Sequence, residues 1–149
     1  MIFKISEFNR IFFLNLFKEL TPGQLFCIPK GYKNNIIWNI GHVLITEQML
    51  TYGLSGLNIS VDKKFIKKYG KGSTPSTIIS QKDIEAIKTI LIPAIQKTKT
   101  DLNNNIFTTY NEYPTSTKIV LKNINDALTF NNFHEGIHFG IILSIKKLV

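Results

Sequence analysis

The sequence predicts an all-α protein, a four-helix bundle formed by a single domain over residues 1–149. Three observations point there. Apolar residues recur at three- and four-residue spacing in four long stretches, each bounded by capping residues or by Gly, Pro and Asn breakers. No comparable run of strand-like sequence competes with them. All three histidines fall on the inward stripes of those stretches, and bundles build metal sites from such side chains on facing helices. A chain of 149 residues buries roughly two-thirds of its unfolded surface, enough for a real core.

The first helix is expected over residues 5–20, where Ile5, Phe8, Phe12, Phe13, Leu16, Phe17 and Leu20 keep helical spacing. The apolar start at Met1 is broken by Glu7, Asn9 and Arg10, with no small-residue cleavage site after it, so it reads as a helix lead-in rather than a signal peptide. Thr21-Pro22-Gly23 ends this helix, and residues 24–35 read as a connector with Pro29 and Gly31 as breakers. The second helix spans 34–54, capped by Asn34 or Asn35. Ile36, Ile40, Val43, Leu50 and Leu54 share one arc; Trp38, His42, Ile45 and Met49 share the opposite one. A helix apolar on two sides is buried on two sides, which suits a central member of a bundle.

A short extra helix is expected near 60–69, capped by Ser60, with Val61, Phe65, Ile66 and Tyr69 inward. Lys63, Lys64, Lys67, Lys68 and Lys71 then face outward, as a solvated face or as an electrostatic mouth for an anionic ligand. The third helix starts at the Ser80 cap and keeps Ile84, Ile87, Leu91, Ile95, Thr98 and Leu102 on one face, with a kink or break expected at the internal Pro93. Residues 106–122 are rich in Thr, Tyr, Ile and Val and read as an irregular segment or a short hairpin. The fourth helix opens at Asn123 or Asn125 and runs to Lys147, with Ala127, Phe130, Asn131, His134, His138, Ile141, Ile145 and Leu148 in one arc.

Composition narrows the function. Mean hydropathy is +0.05, and no apolar run approaches the ~20 residues that cross a bilayer. One cysteine, Cys27, rules out an intrachain disulfide and fits a reducing cytoplasm. Between Phe26 and Ile28 it reads as a small buried hydrophobe. The net charge of +8 comes with 17 lysines and a single arginine, Arg10. Nucleic-acid sites favour the arginine fork, so a basic nucleic-acid-binding module is a distant reading and no such partner is expected.

The chemistry concentrates in His134-Glu135-Gly136-Ile137-His138. Four residues apart, the two imidazoles share a helical face and can hold one ion. The segment also spells H-E-x-x-H, the zinc-protease signature. That signature needs a third ligand, and no residue after His138 is His, Asp, Glu or Cys. The search for a third ligand therefore turns back to His42. Three imidazoles leave at least one position on the ion open, as in catalytic rather than structural sites. Glu135 then reads as a helix-surface residue. Glu47, within an apolar arc, reads as an internal ion pair with Arg10 as one partner, or as an acid/base group supporting the site. Asn131, one turn before His134, is a candidate to orient a ligand or substrate.

The stretch Asn35-Ile36-Ile37-Trp38-Asn39-Ile40-Gly41-His42-Val43-Leu44 with Glu47 after it, together with His134-Glu135-Gly136-Ile137-His138-Phe139-Gly140, resembles the DinB-like (YfiT-like) family. The Gly70-to-Pro75 loop is also similar to a segment of that family. The resemblance implies a bundle with crossed, non-sequential helix order, often a homodimer. It implies a divalent metal on three histidines, carried over to His42, His134 and His138: zinc or nickel first, with iron, manganese or copper also suited to imidazole. Some members are similar to thiol S-transferases that use a low-molecular-weight thiol; many have no known activity. The expectation is a metal-dependent enzyme with a small-molecule substrate, the alternative a non-catalytic, stress-associated metal-binding bundle.

Overall fold

The computed structural model describes residues 1–149. Helix α1 (Ile2–Glu19) is followed by a one-turn α2 (Pro22–Phe26), then α3 (Ile36–Gln48), which continues into a π-helical stretch, Met49–Gly53. After these come α4 (Lys63–Tyr69), α5 (Gln81–Asn103), β1 (Tyr113–Pro114), β2 (Val120–Leu121) and α6 (Ile124–Lys146). The long helices α1, α3, α5 and α6 make the all-α bundle expected from sequence. Their order around it is non-sequential: α1 packs on α5 and α6, and α3 packs on the same two. So α1 and α3 lie on one diagonal, α5 and α6 on the other. The centre holds Phe13 and Leu16 from α1, Ile40 and Val43 from α3, Leu91 from α5 and Ile142 from α6.

Most boundaries follow from caps read in the sequence. Asn35 Oδ1 accepts from Trp38 N at 3.0 Å, while Asn35 Nδ2 donates to Phe26 O and Ser76 O. One side chain thus starts α3 and fastens two loops to it. Ser80 caps α5 and Asn123 caps α6. Other expectations shift. Thr21-Pro22-Gly23 does end α1, but Thr21 and Gln24 form a capping box and Pro22 opens α2 inside the expected connector. Asp62, not Ser60, caps α4 through Phe65 N. Helix α5 runs through Pro93, which lies on its exposed face. Residues 106–122 form a minimal hairpin, two residues per strand in antiparallel register, which packs with Leu50 and Ala127 in a small second core.

Two corrections concern what is buried. In α1, Ile5 and Phe8, read as inward, are exposed, Phe8 at 62 %, while Ser6, Asn9 and Arg10 are buried, Arg10 at 0 %. These polar groups face partners on α6: Ser6 donates to Asn132 Oδ1, Asn9 and Arg10 to Glu135. Cys27, read as buried, ends α2 in an extended conformation and is exposed.

Candidate metal centre

The site lies where α3 crosses α6, the most extensive helix contact in the bundle. His42 comes from the middle of α3, His134 and His138 from successive turns of α6. One nitrogen from each can be chosen so that all three lie within 4.8 Å of one another. The rings themselves cluster, with centroids 4.5 Å apart for His134 and His138, 4.9 Å for His42 and His138, and 5.2 Å for His42 and His134. Trp38, one turn before His42, stacks on its ring at 4.6 Å with the planes 8° apart.

Hydrogen bonds on the far side of two rings fix which nitrogen faces the cluster. His138 Nδ1 is 2.7 Å from Asn39 Oδ1. The orientation of that amide is decided by its other end, since Asn39 Nδ2 donates to Asn35 O at 2.7 Å and to Asn34 Oδ1 at 3.0 Å. Oδ1 therefore accepts, His138 Nδ1 carries the proton, and Nε2 keeps its lone pair. His42 Nδ1 donates to the Tyr69 carbonyl at 2.7 Å, with the same result for its Nε2. His134 Nδ1 is buried without a partner.

Gly41 makes the Tyr69 contact possible. A Cβ at position 41 would lie 2.5 Å from the Tyr69 ring, so only glycine lets α4 lie this close to α3. That approach brings the Tyr69 carbonyl to His42. Trp38 Nε1 also donates to Ser73 Oγ at 2.8 Å, holding the loop after α4 beside the same turn.

Burial keeps the imidazoles neutral. It lowers the affinity of His134 for a proton most, and the neighbouring His138, His42 and Arg10 lower it further, to a pKa of about 3. Burial, then His42, brings His138 to about 4. His42 is also lowered by burial, against the opposing pull of the Tyr69 carbonyl. At neutral pH no proton has to leave before these rings ligate an ion. Three neutral imidazoles, two with Nε2 oriented and the third with a buried unpaired nitrogen, are a donor set that suits a divalent ion. His42 and His134 also line an open cavity of about 830 Å³, walled by the π-helical stretch, the loop after α4, the hairpin and Phe130.

The other residues singled out in the sequence lie elsewhere. Asn131 Nδ2 donates to Glu135 Oε1 at 2.9 Å, and no bond joins it to a histidine. Glu47 is fully buried and accepts from Thr98 Oγ1 at 2.6 Å and Gln48 Nε2 at 2.8 Å. Its expected ion pair with Arg10 is not formed: Arg10 Nη2 donates instead to Glu135 Oε1 at 2.6 Å. Glu135, read as a surface residue, is 0 % exposed because α6 buries the flank facing α1 as well as the flank facing α3. Of the lysines read as outward, Lys68 is half-buried in an ion pair with Asp83, and the rest of the run is exposed. Sequence reasoning passed over Asn39, Gly41 and Tyr69. The signals for Asn39 are its place in the Asn35–Leu44 stretch and a polar side chain in the apolar first turns of the helix.

A family model described as the DinB superfamily matches residues 7–142. No curated protein matches the chain. The chain belongs to the DinB superfamily.

Proposed function

We propose that this member of the DinB superfamily is a divalent-metal-dependent enzyme acting on a small molecule, of the thiol S-transfer type, with His42, His134 and His138 as the ligands. The observation that carries the reading is the convergence of three imidazoles within 4.8 Å at an open cavity. A bound divalent ion would supply Lewis acidity, lowering the pKa of a water or thiol to make a nucleophile at neutral pH. The chain's own residues do the positioning. Asn39 and the Tyr69 carbonyl hold two imidazoles in the ligating tautomer. Trp38 covers one face of His42. Untagged protein purified natively should carry about one equivalent of zinc or nickel and should turn over an electrophile with added thiol. His138→Ala should abolish both. Metal-free native protein defeats the reading.

A second reading, a non-catalytic metal-binding bundle, draws on one specific observation. No Asp or Glu lines the cavity, and Glu47 and Glu135 are engaged in internal hydrogen bonds, so no general base adjoins the histidines. Metal-loaded protein inert toward every thiol–electrophile pair tested would favour it.

The proposal includes pairing of two copies through the outer face of α6. Between Asp126 and Lys146 the only ionisable groups are His134, Glu135 and His138, none of them exposed. The solvent side instead presents Phe133, Gly136, Ile137 and Gly140. In a chain of charge +8, a neutral face lets two copies meet without like-charge repulsion. Ile137→Lys should turn a dimer into a monomer in sedimentation; an unchanged oligomeric state overturns this interface.

A further inference from the structure

The walls of the cavity differ in chemistry. With the two lining histidines neutral, Lys67 and Lys71 are the only charged residues on its lining, and no carboxylate lines it. Neither lysine is in an ion pair, whereas Lys68 on the same helix is held by Asp83. Beside these lysines the lining is Gly70, Gly72, Ser73 and Thr74. Another wall is apolar: Met49, Leu50 and Leu54, with Phe130 from α6. Met49 and Leu50 belong to the π-helical stretch, and Leu54 N closes its last bond on Met49 O at 3.0 Å. Such π segments occur often at functional sites. Met49 is 43 % exposed, an apolar side chain that a ligand would cover.

We infer that the cavity binds an amphipathic anion: a carboxylate-bearing molecule with an apolar chain or ring. The anionic end lies at Lys67 and Lys71, and the apolar body lies along Met49, Leu50, Leu54 and Phe130. About 830 Å³ is room for a drug-sized ligand rather than for a small ion. A cation would meet two lysines and no acid. A wholly polar ligand would leave the apolar wall wet. The inference rests on the proposed centre only in that it assigns a ligand class to the same cavity.

Titration calorimetry of metal-loaded protein with decanoate, below its micelle-forming concentration, tests it against decylammonium and acetate. Decanoate should bind one-to-one, at least ~10-fold more tightly than either. Lys67→Glu/Lys71→Glu should weaken decanoate about 10-fold, roughly 1.4 kcal/mol for the two rim charges together. The circular-dichroism melt and metal content should not change, and Lys67→Gln/Lys71→Gln should give a smaller shift in the same direction. Equal binding of decanoate and decylammonium overturns the inference. So does acetate matching decanoate, or decanoate binding indifferent to both lysine variants. Metal content in the same samples separates the two proposals. Metal-free protein that still prefers decanoate defeats only the metal-dependent reading; metal-loaded protein without the preference defeats only the ligand class.

Discussion

His134 and Glu135 are neighbours on α6, yet they serve two different interiors. Glu135 turns toward α1 and is saturated: Asn9, Arg10 and Asn131 all donate to its carboxylate. His134 turns toward α3 and is under-satisfied, with a buried ring nitrogen that bonds to nothing. Glu135 and the His134 Nδ1 atom both lie out of water, where an unmet polar group is costly. One site is an ion-paired polar knot that ties two helices together, with Arg10 Nε and Nη1 and Asn131 Oδ1 left without partners inside it. The other is an open cluster whose remaining valence points at a common centre. Neither polar burial nor an unmet group alone marks a functional site; what sets the cluster apart is three ligating side chains from two helices converging beside an open cavity.

The contrast is easiest to break from the closed side. Glu135→Ala leaves Arg10 charged and unpaired in the interior, and should cost about 3–5 kcal/mol in denaturant unfolding. A loss below about 1 kcal/mol would mean that the knot is not structural. His138→Ala should shift the balance the other way, lowering zinc affinity more than ~100-fold in competition titrations while costing apo stability only about 1–3 kcal/mol, the share of its hydrogen bond to Asn39. Asn39→Ala probes the link between the two kinds of site, since it removes a buried hydrogen bond and a ligand orienter together. It should cost about 1–3 kcal/mol of stability and ~10–100-fold in metal affinity. An effect on stability alone would deny Asn39 any orienting role.

The smallest effect concerns Glu47. Burial raises its pKa above the ordinary 4.5, against the opposing influence of Arg10, Thr98 and Gln48. The folded chain therefore holds this proton to higher pH than the unfolded chain does. Stability is unaffected below about 4.5 and declines as pH rises through the folded value. Unfolding measured from pH 4 to pH 8 adds that decline to an opposite gain from the three histidines, whose depressed pKa values let stability rise with pH up to about 6.5. The Glu47 contribution is therefore read as the difference between the native chain and Glu47→Gln, which should fall as pH rises. An identical slope in the variant would assign the pH dependence elsewhere.

The four long helices, most caps and the helical spacing of the three histidines were legible in the sequence because each rests on local spacing. A 3.6-residue period and an i, i+4 pair need no knowledge of the rest of the chain. The misreadings share the opposite origin. Ser6, Asn9 and Arg10 look like a solvent flank until Asn132 and Glu135, more than a hundred residues later, are placed against them. Glu135, next to His134, lies about 100° around the helix from it, and a helix buried on two sides turns that angle into a second interior. Cys27 between two apolar residues gave no hint that the end of α2 would expose it. Asn39 and the Tyr69 carbonyl act through contacts that only tertiary packing creates, one of them with a backbone atom that carries no residue signature at all.

The close approach of Tyr69 to Gly41 makes the cavity's rim and its floor one mechanical unit. The carbonyl that orients His42 ends the same short helix that carries Lys67, and Lys71 follows two residues later. A ligand drawn to those lysines would act on the helix whose last carbonyl aims the imidazole, and an ion on the imidazole would act on it from the other side. Any coupling between the two occupancies would be thermodynamically reciprocal. The missing methyl group at position 41 is what permits the contact between them.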